Sequence, residues 1–172
     1  MSIVGKTLLL IAVLGLAACN NPDRYGAGGA GGAGGAGGID TTGLGDPSNP
    51  TSIAYFNQTV GDRVLFQVDQ STLTAEARTV LAAQAQWLMQ NPSYAAIIEG
   101  HADEQGTREY NLALGARRAA AVQNFLISQG IAANRLRTIS YGKERPLAIC
   151  SEESCYAKNR RAVTVLSAGA GA

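Results

Sequence analysis

A glycine repeat constrains the fold of this chain more than any other feature of its sequence. From Gly26 to Gly38 the chain reads GAGGAGGAGGAGG, and the triplet Ala-Gly-Gly occurs four times from Ala27. Such a run has no side chains with which to build a core, and ordering glycine is costly in conformational entropy. It also lacks the proline and the strict one-in-three glycine of collagen. We therefore predict a flexible tether, with a root-mean-square span of ~30 Å, and a folded domain after it.

The residues before the repeat have the pattern of a targeting signal. Lys6 is followed by the apolar run Leu8–Ala18, which is too short for a membrane span of about 20 residues but fits the apolar region of a secretory signal. The run ends in LAAC, which resembles the bacterial lipobox, whose cysteine becomes the acylated first residue of the mature protein. We predict a signal peptide over residues 1–18 and lipidation at Cys19. An ordinary signal peptide with a chance cysteine is the alternative.

The predicted lipidation also indicates a location. The lipobox class is expected to carry several acyl chains, and two or more chains anchor a protein stably in a membrane. Asn20 follows the cysteine where an aspartate would favour the inner membrane. The resemblance therefore implies an outer-membrane lipoprotein whose domain faces the periplasm.

The pattern of apolar residues changes to that of a folded domain from about Thr51 to Leu166. We assign residues 19–51 to the lipidated cysteine and tether, and residues 52–172 to one domain. After a segment that is either a short helix or an extended arm (51–58), β-branched runs predict strands and 3.6-residue periodicity predicts helices, in the order strand 63–68, helix 75–91, strand 94–101, helix 108–129, strand 136–142 and strand 161–166. This βαβαββ order predicts a two-layer α+β fold with helices packed on one face of a mixed sheet.

Each predicted helix has one apolar stripe that should face the sheet. The first helix begins at a Thr74 cap and ends before Pro92, and the second ends at Gly130. The stripe of the first consists of Ala77, Val80, Leu81, Ala85 and Leu88, and that of the second of Leu112, Ala116, Ala119, Val122 and Leu126.

Composition argues against several function classes. The formal net charge is only +1, so the chain has no electrostatic footprint for nucleic acid. One histidine and three cysteines are too few for a convincing metal site, and no serine or cysteine lies in a nucleophile motif. We predict no cofactor and no enzymatic activity. A cell-wall amidase or peptidase remains the enzymatic alternative, because His101 and Asp103 form a His-x-Asp pair.

Two of the cysteines, Cys150 and Cys155, lie in CSEESC before the last strand. A secreted chain meets an oxidising compartment, so we predict a local structural disulfide that contributes only ~2 kcal/mol. A redox-active pair is the alternative, although the spacing is not Cys-x-x-Cys.

An acid and a base in GHADEQGTREYNLALGARRAAAV (100–122) point to a ligand. Asp103 lies on a loop after the second strand, and Arg118 lies fifteen residues later in the helix. If the loop folds back over the helix, the two side chains present opposite charges to one ligand, such as an amino-acid terminus with its carboxylate and ammonium groups. Asn111 can add a neutral donor and acceptor. A structural Asp–Arg salt bridge is the alternative.

These residues, together with ISYGKERP and KNRRAV, resemble the OmpA-like peptidoglycan-binding domain family from about Asp62 to Val165. The resemblance implies that Asp103 and Arg118 flank the zwitterionic end of diaminopimelate in cell-wall stem peptides. It assigns further binding roles to Thr107, Asn111, Phe66, Asp69 and Arg160.

The family pattern is not matched everywhere. Gln67 stands where many members have aspartate, so we assign it no role. Arg117 occupies the position before Arg118, and we expect it to be exposed. Arg160 and Arg161 both match the NRR of the family, and a solvated or structural role is the alternative to ligand binding there. His101 in the GH pair is more typical of a structural residue.

Lipoproteins of this family link the outer membrane to peptidoglycan and bind the periplasmic protein TolB of the Tol complex during cell division. The resemblance implies the same partners here. A lipoprotein scaffold that binds only periplasmic proteins is the alternative function.

Overall fold

The computed structural model describes residues 45–168, which lie in the second of the two units of the chain, Met1–Ala36 and Gly37–Ala172. The predictions for the signal peptide, Cys19 and the glycine repeat concern residues outside this range. The elements are α1 (Ile53–Tyr55), a π-helical turn (Phe56–Gly61), β1 (Arg63–Leu65), α2 (Ala75–Gln90), β2 (Tyr94–His101), α3 (Arg108–Ser128), a 3₁₀ turn (Ala133–Arg135), β3 (Leu136–Gly142), α4 (Glu153–Asn159) and β4 (Arg161–Ala168).

The four strands form one mixed sheet in the order β1-β4-β2-β3. β4 is antiparallel to both of its neighbours, whereas β2 and β3 are parallel. Alternate residues of β2, including Ala96 and Ile98, are buried with the apolar faces of α2 and α3. Ile97 on the opposite face is 36% exposed. The predicted α+β fold, with its helices on one face of a mixed sheet, is confirmed.

The helix α2 follows its predicted pattern closely. The Thr74 hydroxyl accepts a hydrogen bond from the Ala77 amide, so it caps the helix as expected. The five residues of the predicted stripe are buried or half-buried.

The predicted inward face of α3 is partly wrong. Leu112 is 49% exposed and Ala116 is exposed, whereas Asn111, Leu114 and Arg118 are buried. The true inward face is shifted because it contains polar residues with partners of their own, and an apolar count cannot detect such residues.

A close approach between helix and strand sets the position of α3 against the sheet. A Cβ atom added to Gly100 on β2 would lie 1.8 Å from the Gly115 carbonyl oxygen on α3. Only glycine permits this separation. The contact places the start of α3 over the end of β2, where the candidate site lies.

Two elements differ from the prediction, one in its length and one in its presence. The first strand ends at Leu65 instead of Val68, because the chain turns away from the sheet to pass over α3. The extra helix α4 follows the CSEESC segment, and Cys150 and Cys155 are joined in a disulfide.

The segment before α1 packs with the domain. The Trp87 indole donates to the Pro50 carbonyl (2.8 Å), and the Tyr94 hydroxyl donates to the Thr51 carbonyl (2.9 Å). Ser52 is fully buried and donates to the Asp46 carbonyl. Residues 46–51, which the sequence analysis placed in the tether, therefore contribute contacts to the domain.

Candidate functional site

The loop that joins β2 to α3 forms one wall of a polar cleft. The Ala102 amide donates to the Gly142 carbonyl (2.8 Å), and the Lys143 ammonium donates to the Gly106 carbonyl (2.7 Å). Gly106 has φ +91°, a conformation that favours glycine. The Thr107 hydroxyl then accepts from the Tyr110 amide and starts the helix. These bonds fix the loop at both of its ends.

The cleft has a volume of about 240 Å³ and is lined by Val68, Asp69, Asp103, Gln105, Gly106, Tyr110, Asn111 and Leu114. The Asp103 carboxylate is only 7% exposed, and it accepts from the Gln105 amide at 3.3 Å. The Asn111 side-chain amide donates to the Gln105 carbonyl at 2.7 Å. Two carboxylates and an amide therefore meet around one cavity.

The opposite wall is the chain after β1. Asp69 has φ +56° and is the one residue other than glycine with positive φ in the described range. Its carboxylate accepts a hydrogen bond from the Tyr110 hydroxyl, and this bond raises the pKa of Tyr110. The contact joins this segment to the first turn of α3.

Arg118 lies beneath this segment and is fully buried. Its guanidinium donates to the carbonyls of Gln70 (2.8 Å), His101 (2.8 Å) and Gln67 (3.2 Å), and lies 5.2 Å from the centre of the Phe66 ring. Burial lowers the pKa of Arg118 to about 10, although the nearby Asp103 opposes the shift, so the side chain stays charged at neutral pH. The Arg118 guanidinium therefore contributes positive potential to the cleft, although it is not one of the residues that line the cleft.

The charge partner of Asp103 is Arg160, not Arg118. The two side chains are 3.1 Å apart, and both are almost fully buried. Arg160 also binds the exposed Glu153 on α4. The hydrogen bond between them raises the pKa of Arg160 and lowers that of Glu153. Arg160 and Glu153 also line a second groove, of about 350 Å³, and Asp103 is not among its lining residues.

The predicted site residues therefore have different surroundings. Asp103, Asn111 and Asp69 line one cleft, with Arg118 below it. Thr107 is exposed and caps α3, and it is not among the residues that line the cleft. Phe66 is buried under the Arg118 guanidinium and lines the second groove with Arg160.

Two residues that the sequence analysis did not select also belong to this region. Tyr110 closes the cleft against Asp69, and Glu153 binds Arg160 from α4. The only sequence signal for Tyr110 was its place directly before the predicted site residue Asn111. Nothing in the local sequence pointed to Glu153, because its role depends on a helix that was not predicted.

His101 lies at the end of β2 and is only 2% exposed. Neither ring nitrogen has a hydrogen-bond partner, and the ring stacks on Tyr141 with centroids 5.5 Å apart. Burial, together with the charges of Arg161 and Arg145, lowers its pKa to about 4. The imidazole is therefore neutral at neutral pH, and its 3.5 Å contact with Glu99 is not an ion pair there. Within residues 45–168, no three acidic, histidine or cysteine side chains gather as a metal site would require.

No helix in the same range is both long and apolar enough to cross a membrane.

Comparisons with known proteins place the chain in a family. A protein named peptidoglycan-associated lipoprotein from Mesorhizobium japonicum is 51% identical over 164 residues, which cover 95% of this chain and 92% of the relative. The protein of that name from Agrobacterium fabrum is 57% identical over 131 residues, covering 75% of this chain and 73% of the relative. The crystal structure of the peptidoglycan-associated lipoprotein from Burkholderia pseudomallei matches with a TM-score of 0.63 and 35% identity, covering 72% of this chain and 98% of that one. The model of the OmpA family matches residues 65–160, and the chain therefore belongs to the OmpA family.

Proposed function

We propose that this chain binds peptidoglycan without covalent attachment, through the zwitterionic end of diaminopimelate in the stem peptide. The observation that carries the proposal is the nearly buried Asp103 carboxylate beside Asn111 in a polar cleft, above the buried charge of Arg118. The names of the relatives support the same ligand class.

The two carboxylates of the cleft are suited to the ammonium group of the ligand. Asp103 and Asp69 both line the cavity, and Asp103 is almost fully buried. A charge-assisted hydrogen bond to a carboxylate shielded from water is stronger than a neutral one. Arg160 already balances part of the negative charge of Asp103. The ammonium group of the ligand would balance the remaining negative charge of the cleft.

Arg118 and the side-chain amide of Asn111 attract the carboxylate of the ligand. Three N–H groups of Arg118 are committed to main-chain carbonyls, two of them in the segment 67–70. Arg118 is also fully buried and does not line the cleft, so a direct fork between Arg118 and the ligand requires segment 67–70 to move aside. Without that movement, Arg118 acts through its positive potential across a short, poorly solvated distance.

The proposed role in the cell is that of a non-catalytic anchor. Lipidation at Cys19 attaches the chain to the outer membrane, the glycine repeat gives the domain its reach, and the cleft holds the cell wall. TolB and the Tol complex are the proposed protein partners during envelope constriction. TolB and peptidoglycan compete, in this proposal, for the face that carries the charged loops.

A binding experiment with isolated sacculi tests the cleft. The full-length protein in detergent is incubated with sacculi, and bound protein is measured for the wild type and for Asp103→Asn. We expect Asp103→Asn to lose about 2–5 kcal/mol of binding, which is at least tens-fold in affinity. A soluble muramyl tripeptide ending in meso-diaminopimelate should compete, and the tripeptide with lysine at that position, which lacks the carboxylate, should compete far less.

The matched control is Glu109→Gln, which removes the same charge from an exposed position in the first turn of α3. It should bind sacculi as the wild type does. If Asp103→Asn is folded and still binds sacculi normally, the cleft is not the wall site, and a scaffold that binds only proteins becomes the better explanation. Turnover of a muropeptide digest would overturn the non-catalytic role.

A further inference from the structure

We propose that the disulfide loop and α4 act as a positioning element for the cleft, holding Asp103 and its loop in the binding geometry from behind. This inference rests on the proposed function, since it concerns affinity for the same ligand. The disulfide loop comprises residues 150–155.

The first connection runs through charged side chains. Glu153, in the first turn of α4, binds the Arg160 guanidinium, which also contacts Asp103 at 3.1 Å. Arg160 is held in place by its own main chain as well, because its carbonyl accepts from the Phe66 amide at 2.8 Å. Glu153 thus occupies one edge of a guanidinium that would otherwise be available to Asp103 in a fork.

The second connection reaches the residue next to Asp103. The Ser151 hydroxyl (3.0 Å) and the Tyr156 hydroxyl (3.1 Å) both donate to the Glu104 carboxylate. Ser151 belongs to the disulfide loop and Tyr156 to α4. The loop that carries Asp103 is therefore bound to the cysteine-bearing segment by two hydrogen bonds to one oxygen of Glu104.

The disulfide is what keeps this segment in place at its first turn. The helix α4 has only seven residues, and Glu152 at its N-cap makes no side-chain capping bond. Helices of this length are marginal without outside support. The far end is supported by Asn159, whose side chain binds the main chain of residues 147 and 148. The near end, which carries Glu153, is closed covalently by Cys150 and Cys155.

Loss of the disulfide weakens ligand binding in two ways. Glu153 and Ser151 leave their partners, which loosens the loop around Glu104. Arg160, released from Glu153, binds Asp103 with both terminal nitrogens of its guanidinium, so less of the carboxylate is available to the ligand ammonium. Both effects weaken binding of the zwitterion.

The test measures the dissociation constant for the muramyl tripeptide ending in meso-diaminopimelate, by calorimetry on the full-length protein in detergent. We expect Cys150→Ser/Cys155→Ser and, separately, Glu153→Gln to weaken binding by about three- to tenfold. Glu152→Gln, the same charge change one residue earlier, is the matched control and should bind normally. Glu153→Gln keeps the disulfide intact, so it tests the connection even if the cysteine variant folds poorly.

A double-mutant cycle with Asp103→Asn separates positioning from general destabilisation. If the segment acts through Asp103, its removal should have little further effect in the Asp103→Asn background. In amide spectra, reduction should shift the resonances of Glu104 and Gln105 and leave that of the distant Gly130 unchanged.

The outcomes distinguish this inference from the proposed function. No binding by the wild type, or normal binding by Asp103→Asn, overturns the proposed function itself. If Asp103→Asn loses binding while the cysteine variant and Glu153→Gln bind normally, the positioning role is wrong. An equal loss in both backgrounds of the cycle would also overturn it.

Discussion

The buried basic side chains Arg118, Arg160 and His101 near the cleft differ in their hydrogen-bond partners. Arg118 is bound by main-chain carbonyls, Arg160 by two carboxylates, and His101 by no hydrogen-bond partner at all. A buried charged group is tolerated when it is fully hydrogen-bonded. A buried titratable group without a partner instead shifts its pKa and takes its neutral form. The differences lead to separate predictions for Arg118 and His101.

Arg118→Ala should reduce the free energy of unfolding by about 3–5 kcal/mol, because it truncates a fully buried side chain and removes its buried hydrogen bond to the His101 carbonyl. Arg117→Ala, on the exposed neighbour, should change it by less than about 1 kcal/mol. Urea unfolding of both variants measures the contrast. Equal effects would mean that the main-chain contacts of Arg118 are unimportant.

The stability of the domain should depend on pH through His101. Its pKa is about 4 in the folded state against an ordinary 6.5, so the unfolded chain binds more protons between these values. The contribution of neutral His101 is fully present above pH 6.5 and is lost as the pH falls towards 4, by about 2–3 kcal/mol in total. Unfolding should be followed at several pH values for the wild type and His101→Phe.

The comparison with His101→Phe isolates this residue from carboxylates that titrate at lower pH. The variant removes both the titrating group and the unpaired nitrogens. It should therefore show a shallower loss of stability between pH 6.5 and 4. Parallel curves for the two proteins would contradict the lowered pKa.

At the scale of elements, α3 is positioned by contact between main chains instead of by large side chains. Gly115 on the helix meets Gly100 on β2, and the Ser140 hydroxyl on β3 donates to the Leu112 carbonyl at 2.6 Å. This approach brings Asn111 to the same end of the sheet as the Asp103 loop. The cleft therefore depends on two residues that have no side chain of their own to contribute.

Gly100→Ala should be strongly destabilising, because the new Cβ would lie 1.8 Å from a main-chain oxygen and α3 would have to move. We expect a loss of at least about 2–3 kcal/mol, the upper range for overpacking. Gly45→Ala, which has nothing within 4 Å, is the matched control and should have no effect. Thermal unfolding of the two variants gives the answer, and a stable Gly100→Ala protein would contradict the close approach.

At the scale of the whole molecule, the packed domain begins before its first helix. Trp87 and Tyr94 hold the main chain of Pro50 and Thr51, so the residues just before α1 pack next to the core.

A chain that begins at Ile53 should be less stable than one that begins at Asp46 by about 1–3 kcal/mol, since it lacks both acceptors and the buried Ser52. The single tryptophan of the sequence is 4% exposed and reports this region directly. Its fluorescence should shift to longer wavelength in the shorter chain. Identical spectra and unfolding curves would place the start of the packed domain after Ser52.

The order of the elements and most of their bounds were predictable, because periodicity, the Thr74 cap and the Pro92 stop are local signals. The acid and base at Asp103 and Arg118 were also visible in the sequence. Their partners were not: Arg118 binds carbonyls 17, 48 and 51 residues away, and Asp103 binds a side chain 57 residues away.

The sequence by itself determined where a core could form, which segments could be helix or strand, and which residues carry charge near one loop. Only the tertiary structure decided that Arg118 lies below the cleft, that Arg160 is the partner of Asp103, and that α4 supports the loop. The physical reason is that local pattern reports the preferences of neighbouring residues. The choice among distant hydrogen-bond partners is made only when packing brings their main chains together and excludes water from them.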